Sequence, residues 1–208
     1  MNIERILKNP VSILIGATST GKTMLLSNLM AEYIAKYTGR VYCYGVRREI
    51  TKEMPVIPFS SVVELEQIQD GIIVVDEVGA LFDLDNRKQK RMIESTLRLV
   101  NHHNNKLVLS GLPSDFRKFL SAKATCFMYT SLTLSDLING SLAKTTLLEY
   151  REEGMGAYTL DVPVGSFICY VENEIKNNKT ASFQMDIFKY IEKFDTKRKN
   201  GNLFEKRS

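Results

Sequence analysis

Short, almost wholly apolar runs along this chain alternate with segments in which apolar residues recur every three or four positions. The runs predict buried strands at Val11–Ile15, 41–46, 72–75, 106–110 and 125–130. The three-to-four spacing predicts helices at 22–37 and 86–101, and the capping serines Ser61 and Ser114 predict short helices after them. Because strands that alternate with helices are typical of parallel sheets, we expect an α/β fold with a mostly parallel central sheet flanked by helices.

The pattern changes beyond residue 131. A helix is predicted at 134–150, followed by a hairpin whose two strands are 157–162 and Ser166–Val171. Four apolar residues at helical spacing predict a last amphipathic helix: Phe183, Ile187, Ile191 and Phe194. We expect one domain over residues 1–208, with its core at about 10–175 and a C-terminal helix and basic tail at 176–208.

Composition narrows the class of protein. Hydrophobic residues make up 44% of the 208 residues and charged residues 25%, which excludes disordered, collagen-like and coiled-coil chains. No stretch approaches the roughly 18 consecutive apolar residues of a membrane span, and residues 1–10 lack the apolar region of a secretory signal. We therefore expect a cytosolic protein.

Cysteine and charge add two expectations. The three cysteines, Cys43, Cys126 and Cys169, each lie in an apolar run without a CxxC pair, which predicts small core residues.

Six basic and two acidic residues in 193–208 give a local balance of +4, equal to the net charge of the whole chain. Such a tail can contact nucleic-acid phosphates, and a solvated, disordered end is the alternative. A second basic cluster opens the helix predicted at 86–101.

A phosphate-binding loop is the strongest motif. It matches G-x-x-x-x-G-K-[ST] in full, over Gly16, Ala17, Thr18, Ser19, Thr20, Gly21, Lys22 and Thr23. The glycines let successive backbone N–H groups point inward, and the helix that follows adds its positive end, so the loop forms an anion nest. Lys22 is expected to reach the terminal phosphates of ATP, and the Thr23 hydroxyl to ligate Mg²⁺.

Two carboxylates follow the strand predicted at 72–75. Asp76 stands where the Walker B carboxylate is expected to hold Mg²⁺ through water. Glu77 is placed to polarise a water for attack on the γ-phosphate, which favours hydrolysis over transfer to a small acceptor. A solvated acidic pair is the alternative. Ser110 ends the next strand, and we expect it either to sense the γ-phosphate or to cap the following turn.

These residues together resemble a known family. The run at 107–116, the strand at 125–129 and Ser135-Asp136-Leu137 resemble the sensor region of HerA/FtsK-type DNA-pumping ATPases. With the loop and the acidic pair, the resemblance covers about residues 10–140. Members of this size are similar to viral genome-packaging ATPases, for which the cytosol is the host cytoplasm and association with the virion is a further expected location. The resemblance implies a homo-oligomeric ring of five or six subunits that threads double-stranded DNA while hydrolysing ATP, with capsid or portal-vertex proteins as further partners.

The chain departs from the family pattern in two places. Gly111 or Leu112 stands where the family has its sensor glutamine, and 101–104 occupies a turn that often carries arginine. A ring needs a cation from one subunit that stabilises transition-state charge at the nucleotide of the next. The candidates are Arg91, Arg98 and Arg117. The alternative for each is a surface arginine with no catalytic role. The adjacent histidines, His102 and His103, are expected at the surface.

Two other functions remain open from the sequence. Asp76-Glu77 and the run at 111–117 also resemble thymidine kinases, but that family has a zinc ribbon of four cysteines downstream, and only Cys169 follows Cys126 here. The third reading is a regulatory nucleotide-binding module, in which ATP changes an assembly state without moving DNA. The intact set of Lys22, Thr23 and the acidic pair favours hydrolysis over this reading.

Overall fold

The strands form one mixed sheet. The computed structural model describes residues 1–83, 85–116, 120, 122–131, 162–163, 165–171 and 191–196. The strands of this part are β1 Val11–Ile15, β2 Arg40–Tyr44, β3 Val56–Pro58, β4 Gly71–Val75, β5 Lys106–Gly111, β6 Cys126–Tyr129, β7 Ser166–Val171 and β8 Ile191–Lys193. The helices are α1 Ile3–Leu7, α2 Lys22–Lys36, α3 Arg48–Thr51, α4 Val62–Gln67, α5 Val78–Leu81 and α6 Arg87–Leu99, with a 3₁₀ turn at Pro113–Asp115.

The order of the strands places β1 near the middle of the sheet. The order is β3-β2-β4-β5-β1-β6-β7-β8, and the strands from β3 to β6 are parallel. β7 pairs antiparallel with β6, and β8 antiparallel with β7. β8 therefore runs in the same direction as β1. This is the mostly parallel α/β architecture that the alternating pattern predicts.

Helices cover both faces of the sheet. Leu14 of β1 packs with α1 and α2 on one face, whereas Ile13 and Ile15 pack with α4, α5 and α6 on the other. Both faces of β1 are therefore buried, which explains why its sequence is almost wholly apolar. The predicted strands at Val11–Ile15, 41–46, 72–75, 106–110, 125–130 and Ser166–Val171 and the two long helices are confirmed, with ends that shift by at most two residues. The predicted hairpin is not the pairing that the described residues show, because Ser166–Val171 pairs with β6 and with β8.

The predicted C-terminal helix is wrong over residues 191–193. They form β8, which pairs with β7, because an edge of the sheet with free hydrogen-bonding groups outweighs a local spacing of apolar residues.

Ser114 is also not the predicted helix cap. It lies within the 3₁₀ turn, where the Asp115 carboxylate accepts from the Leu112 N–H at 2.7 Å. Four predicted segments lie outside the described residues. They are residues 183–190 of the predicted C-terminal helix, the helix at 134–150, all but the last residue of the strand at 157–162, and the basic tail from 197.

The cysteines are buried core residues, as predicted. Cys43, Cys126 and Cys169 are free thiols, and the sulfur atoms of the last two lie 3.7 Å apart between β6 and β7. Burial raises the pKa of Cys43 to about 11, so its thiol stays protonated at neutral pH. Within the described ranges, no helix is long and apolar enough to cross a membrane.

The N-terminal helix is attached to the C-terminal strand. Arg5 of α1 forms an ion pair with Glu192 of β8, with 2.9 Å between Nη1 and Oε1, and donates to the Cys169 carbonyl at 3.1 Å. The other Glu192 oxygen accepts from the Asn2 N–H at 3.0 Å. Both charged side chains are largely buried, at 18% and 14% exposure, so this pair stabilises the fold more than a surface pair would.

Glu192→Gln tests the position of β8. We expect the free energy of unfolding to fall by about 1 kcal/mol, because a partly buried Arg5 loses its counter-charge. Urea denaturation measures it, and Glu4→Gln on the exposed side of α1 is the matched control. Equal stability of the two variants would contradict the placement of Ile191–Lys193 beside α1.

Candidate nucleotide site

The predicted phosphate loop lies at the carboxyl edge of the sheet. It connects β1 to α2, and β4 and β5 end at the same edge because they run parallel to β1. Asp76 and Glu77 follow β4, and Ser110 is the penultimate residue of β5. The fold therefore brings together the loop, the acidic pair and the serine that the sequence predicted.

The end of β6 holds the loop in shape. The Ala17 N–H donates to the Ser131 carbonyl at 2.9 Å, and the hydroxyls of Thr20 and Thr130 lie 2.6 Å apart. The Thr20 hydroxyl also lies 2.8 Å from the Ala17 carbonyl. A Cβ at Gly16 would lie 1.7 Å from Thr130 Oγ1, so only glycine fits where the loop leaves β1.

Lys22 begins α2 and closes the loop. Its ammonium donates to the carbonyls of Gly16 at 2.9 Å and Ala17 at 2.8 Å, so it spans the loop from one end to the other. Gly21, directly before it, has φ +92°, a left-handed conformation that disfavours a side chain. The helix thus starts at the motif lysine, so its N-terminus, with its partial positive charge, lies at the loop.

Asp76 connects the loop, β4 and β5. Its side chain is nearly fully buried, at 3% exposure. Oδ2 accepts from the Thr23 hydroxyl at 2.5 Å, and Oδ1 accepts from the Ser110 hydroxyl at 2.7 Å. Both carboxylate oxygens therefore have a hydroxyl donor, which offsets the cost of burying the charge.

Ser110 thus has a contact that neither sequence reading named. Its side chain is fully buried and donates to Asp76. The turn after β5 is capped by Asp115, so the capping reading of Ser110 is wrong. A role as sensor of the γ-phosphate stays a prediction, and the observed bond makes Ser110 a positioning residue for Asp76.

The backbone turns sharply at both acidic residues. The Asp76 N–H donates to the Tyr44 carbonyl at the end of β2, at 2.9 Å, and Gly45 follows with φ +74°. A Cβ at Gly45 would lie 2.3 Å from the Asp76 carbonyl oxygen. Glu77 itself has φ +57°, which is uncommon for a residue with a side chain, and it is exposed. The strained turn keeps Glu77 at the surface while its neighbour Asp76 is buried.

A cleft of about 580 Å³ opens over these residues. Its lining includes Lys22, Thr23, Asp76 and Glu77, and also Arg47, which the sequence analysis did not single out. Arg47 follows the strand at 40–44, whose carboxyl end lies at the loop edge, and that placement is the signal that could have found it.

The predicted arginine candidates lie elsewhere. Arg91 and Arg98 are exposed on α6, and within the described residues neither lines the cleft. Arg117 lies outside the described residues. His102 is exposed at the surface, as expected, and His103 is half-buried, where its carbonyl accepts from the Asp70 N–H. A contact of Arg91 or Arg98 with a nucleotide would therefore involve a neighbouring copy of the chain.

The residues of the site fit a magnesium-bound nucleoside triphosphate. Thr130 and Thr20 pack so closely on Gly16 that no Cβ fits there, which suits a loop that wraps its backbone around phosphate. Thr23 and Asp76 supply a hydroxyl and a carboxylate, the oxygen ligands that Mg²⁺ prefers, and they already touch each other. Lys22 supplies a positive charge on the same loop.

Comparison with known proteins bears on the fold. No protein-family model matches the sequence, and no curated protein matches it. The structure is similar to that of the genome packaging NTPase B204 from Sulfolobus turreted icosahedral virus 2 in complex with AMP. The TM-score is 0.57 at 14% identity, over 84% of this chain and 95% of that chain.

Two other solved structures are similar. The cytoplasmic domain of the Thermomonospora curvata type VII secretion ATPase EccC has a TM-score of 0.55 at 15% identity, over 80% of this chain and 23% of that one. The pCW3 conjugation coupling protein TcpA has a TM-score of 0.52 at 12% identity, over 78% of this chain and 57% of that one. The resemblance seen in the sequence is thus confirmed at the level of the fold: the chain has the P-loop NTPase fold of these ATPases.

Ser110→Ala tests the bond to Asp76. We expect the free energy of unfolding to fall by about 1–3 kcal/mol, because one oxygen of a buried carboxylate loses its donor. Urea denaturation measures this change. Ser114→Ala, in the exposed 3₁₀ turn, is the matched control and should have little effect. Equal stability of the two variants would mean that Ser110 does not hold Asp76.

Proposed function

We propose that this protein is an ATP-hydrolysing motor that translocates double-stranded DNA, and that its task is to package a viral genome into a preformed capsid. The observation that carries the hydrolytic part is the contrast between two adjacent carboxylates. Asp76 is buried and held by two hydroxyls, whereas Glu77 is exposed in the same cleft. The names of the similar structures, a genome packaging NTPase and a conjugation coupling protein, support the DNA part.

Binding of ATP would use the loop and the start of α2. The backbone N–H groups of the loop and the positive end of α2 would hold the phosphates, and Lys22 would move from the loop carbonyls to the terminal phosphates. Thr23 and Asp76 would hold Mg²⁺, which when bound offsets phosphate charge. Ser110 keeps the Asp76 carboxylate in one orientation.

Hydrolysis would depend on Glu77. Its carboxylate is in the cleft and follows Asp76 directly, so it can accept a proton from a water that attacks the γ-phosphate. The left-handed backbone at Glu77 fixes the direction of the side chain relative to the buried Asp76. A water is the acceptor in this arrangement, which favours a hydrolase over a kinase for a small substrate.

Contact with DNA would use the start of α6. Its exposed cations are Arg87, Lys88, Lys90 and Arg91, and its first turn has no acidic residue. The N-terminus of a helix already carries partial positive charge, so cations there cost stability. A cluster that opposes the stability of its own helix favours a function in binding a polyanion, and backbone phosphates need no base-specific contacts.

A homo-oligomeric ring would complete the site. The resemblance implies five or six subunits, in which an arginine of one subunit reaches the nucleotide of the next. Arg91 and Arg98 are seven residues apart on α6, so they lie on the same face, about 10 Å apart along the axis. Both are exposed and are our candidates for this contact, with capsid or portal-vertex proteins as further partners.

Glu77→Gln tests the hydrolytic role. We expect kcat for ATP to fall by about 100-fold or more while the affinity for ATP is retained, because the amide cannot take the proton of the attacking water. Steady-state hydrolysis and equilibrium binding of ATP measure the two effects. Glu53→Gln, an exposed residue after α3, is the matched control. Unchanged turnover would remove Glu77 from the proposed role.

The double variant Arg87→Gln, Lys88→Gln tests the DNA contact. Hydrolysis by the native protein should rise with double-stranded DNA and lose that response at higher salt, since phosphate contacts release counterions. In the variant, the slope of log affinity against log salt should become shallower by about 1.8, which is about 0.9 for each lost contact. Fluorescence anisotropy with labelled duplex DNA measures it.

The exposed residues Lys52 and Lys123 provide a control of equal charge. The double variant Lys52→Gln, Lys123→Gln should keep the native slope. An equal change in both variants would mean that only net charge matters. No response of hydrolysis to DNA at any salt concentration would favour the regulatory nucleotide-binding module over the motor.

A further inference from the structure

The two last strands of the sheet bring the end of the described chain to the phosphate loop. β6, β7 and β8 lie on one side of β1, and β5 and β4 lie on the other. Because β8 runs in the same direction as β1, it ends at the edge where the loop begins. The residue after β8 is Phe194.

Phe194 lies directly against the loop. A Cβ built on Gly21 would be 3.3 Å from Cζ of the Phe194 ring and 3.8 Å from Cε2. Gly21 is the left-handed residue that precedes Lys22 and starts α2. An aromatic ring therefore borders the point where the phosphates of a bound nucleotide would meet the helix.

Three contacts fix the position of this ring. The Phe194 N–H donates to the Gly165 carbonyl at 2.7 Å, and the ring packs on Phe167 with 6.3 Å between centroids. The next residue, Asp195, accepts through its carbonyl from the Asn28 side chain of α2 at 3.0 Å. Phe194 is half-buried, and the residue that it contacts, Gly21, lines the cleft.

The direction of a bound nucleotide follows from the acidic pair. Asp76 and Glu77 follow β4, so they would hold the γ-phosphate and its metal on that side of the loop. The sugar and base are at the other end of the molecule and would extend away from β4. The side of β1 away from β4 is the side of β6, β7 and β8, where Phe194 lies.

We propose that Phe194 is the base-stacking residue of this nucleotide site, with its ring against the adenine of ATP. This inference rests on the proposed function and names a subsite of the same site. Aromatic rings stack on bases through their faces, and a ring held in place loses little conformational freedom on binding. Because every base has such a face, stacking on Phe194 favours adenine only modestly over guanine.

A pair of ligands with and without a base tests the proposal. We compare the dissociation constants of ATP and of inorganic tripolyphosphate, each with Mg²⁺, by calorimetry on the full chain. Phe194→Leu keeps an apolar side chain on Phe167 but has no ring face. It should weaken ATP binding by about tenfold and leave tripolyphosphate binding unchanged. Phe194→Tyr should restore the affinity for ATP.

Three outcomes would overturn the proposal. Unchanged ATP affinity in Phe194→Leu would remove the stacking contact. Equal weakening of both ligands would mean that Phe194 acts only by supporting Gly21 and the loop. Weaker binding of ATP but not of tripolyphosphate in Ile50→Ala, without the same change in Phe194→Leu, would place the base at Ile50, which lines the cleft.

The same measurement separates this inference from the proposed function. Native protein that binds tripolyphosphate and ATP equally well still has the phosphate site, and then only the base contact fails. Native protein that binds neither ligand contradicts the proposed function itself, and the stacking contact with it. Thermal unfolding of each variant shows that the chain is folded in the assay.

Discussion

The arrangement of the site depends on one buried charge. Asp76 is 3% exposed, and a carboxylate in that position is stable only if donors reach both of its oxygens. Thr23 from α2 and Ser110 from β5 are those donors. The bonds fix the start of α2 relative to β4 and β5, so the phosphate loop cannot move independently of the acidic pair. The charge that would hold the metal therefore also positions the residues around it.

The other side of the loop is fixed by neutral contacts. Thr130 and Ser131 at the end of β6 bind the loop through a hydroxyl and a carbonyl, and Phe194 packs against Gly21. The loop is thus held between charged residues on the β4 side and neutral or aromatic residues on the β6 to β8 side. A nucleoside triphosphate has the same polarity, with charge at one end and an aromatic base at the other, which is the reason for placing the base near Phe194.

Most of the central sheet could be predicted from the sequence. Both faces of β1 and β4 are buried, so their sequences are almost wholly apolar, and such short apolar runs are typical of central parallel strands. The loop was predictable because its chemistry needs fixed residue types at fixed spacing. Two of the failures share one cause. Ile191–Lys193 has a helical spacing but pairs with β7, and Arg47 reaches the cleft only because β2 lies beside β4. Both depend on contacts between distant segments, which local spacing does not contain.

Two departures from local rules flank the same connection between β4 and α6. Glu77 adopts a left-handed backbone that costs energy, and the first turn of α6 carries cations where the helix dipole is already positive. Sequences that fold well agree with local preference nearly everywhere, so departures are expected where function requires them. Here they lie ten positions apart, at residues 77 and 87, on one short segment after β4. Under the proposed function, this segment joins Glu77, the proposed base, to the start of α6, the proposed DNA contact, and it contains α5 and the buried Phe82.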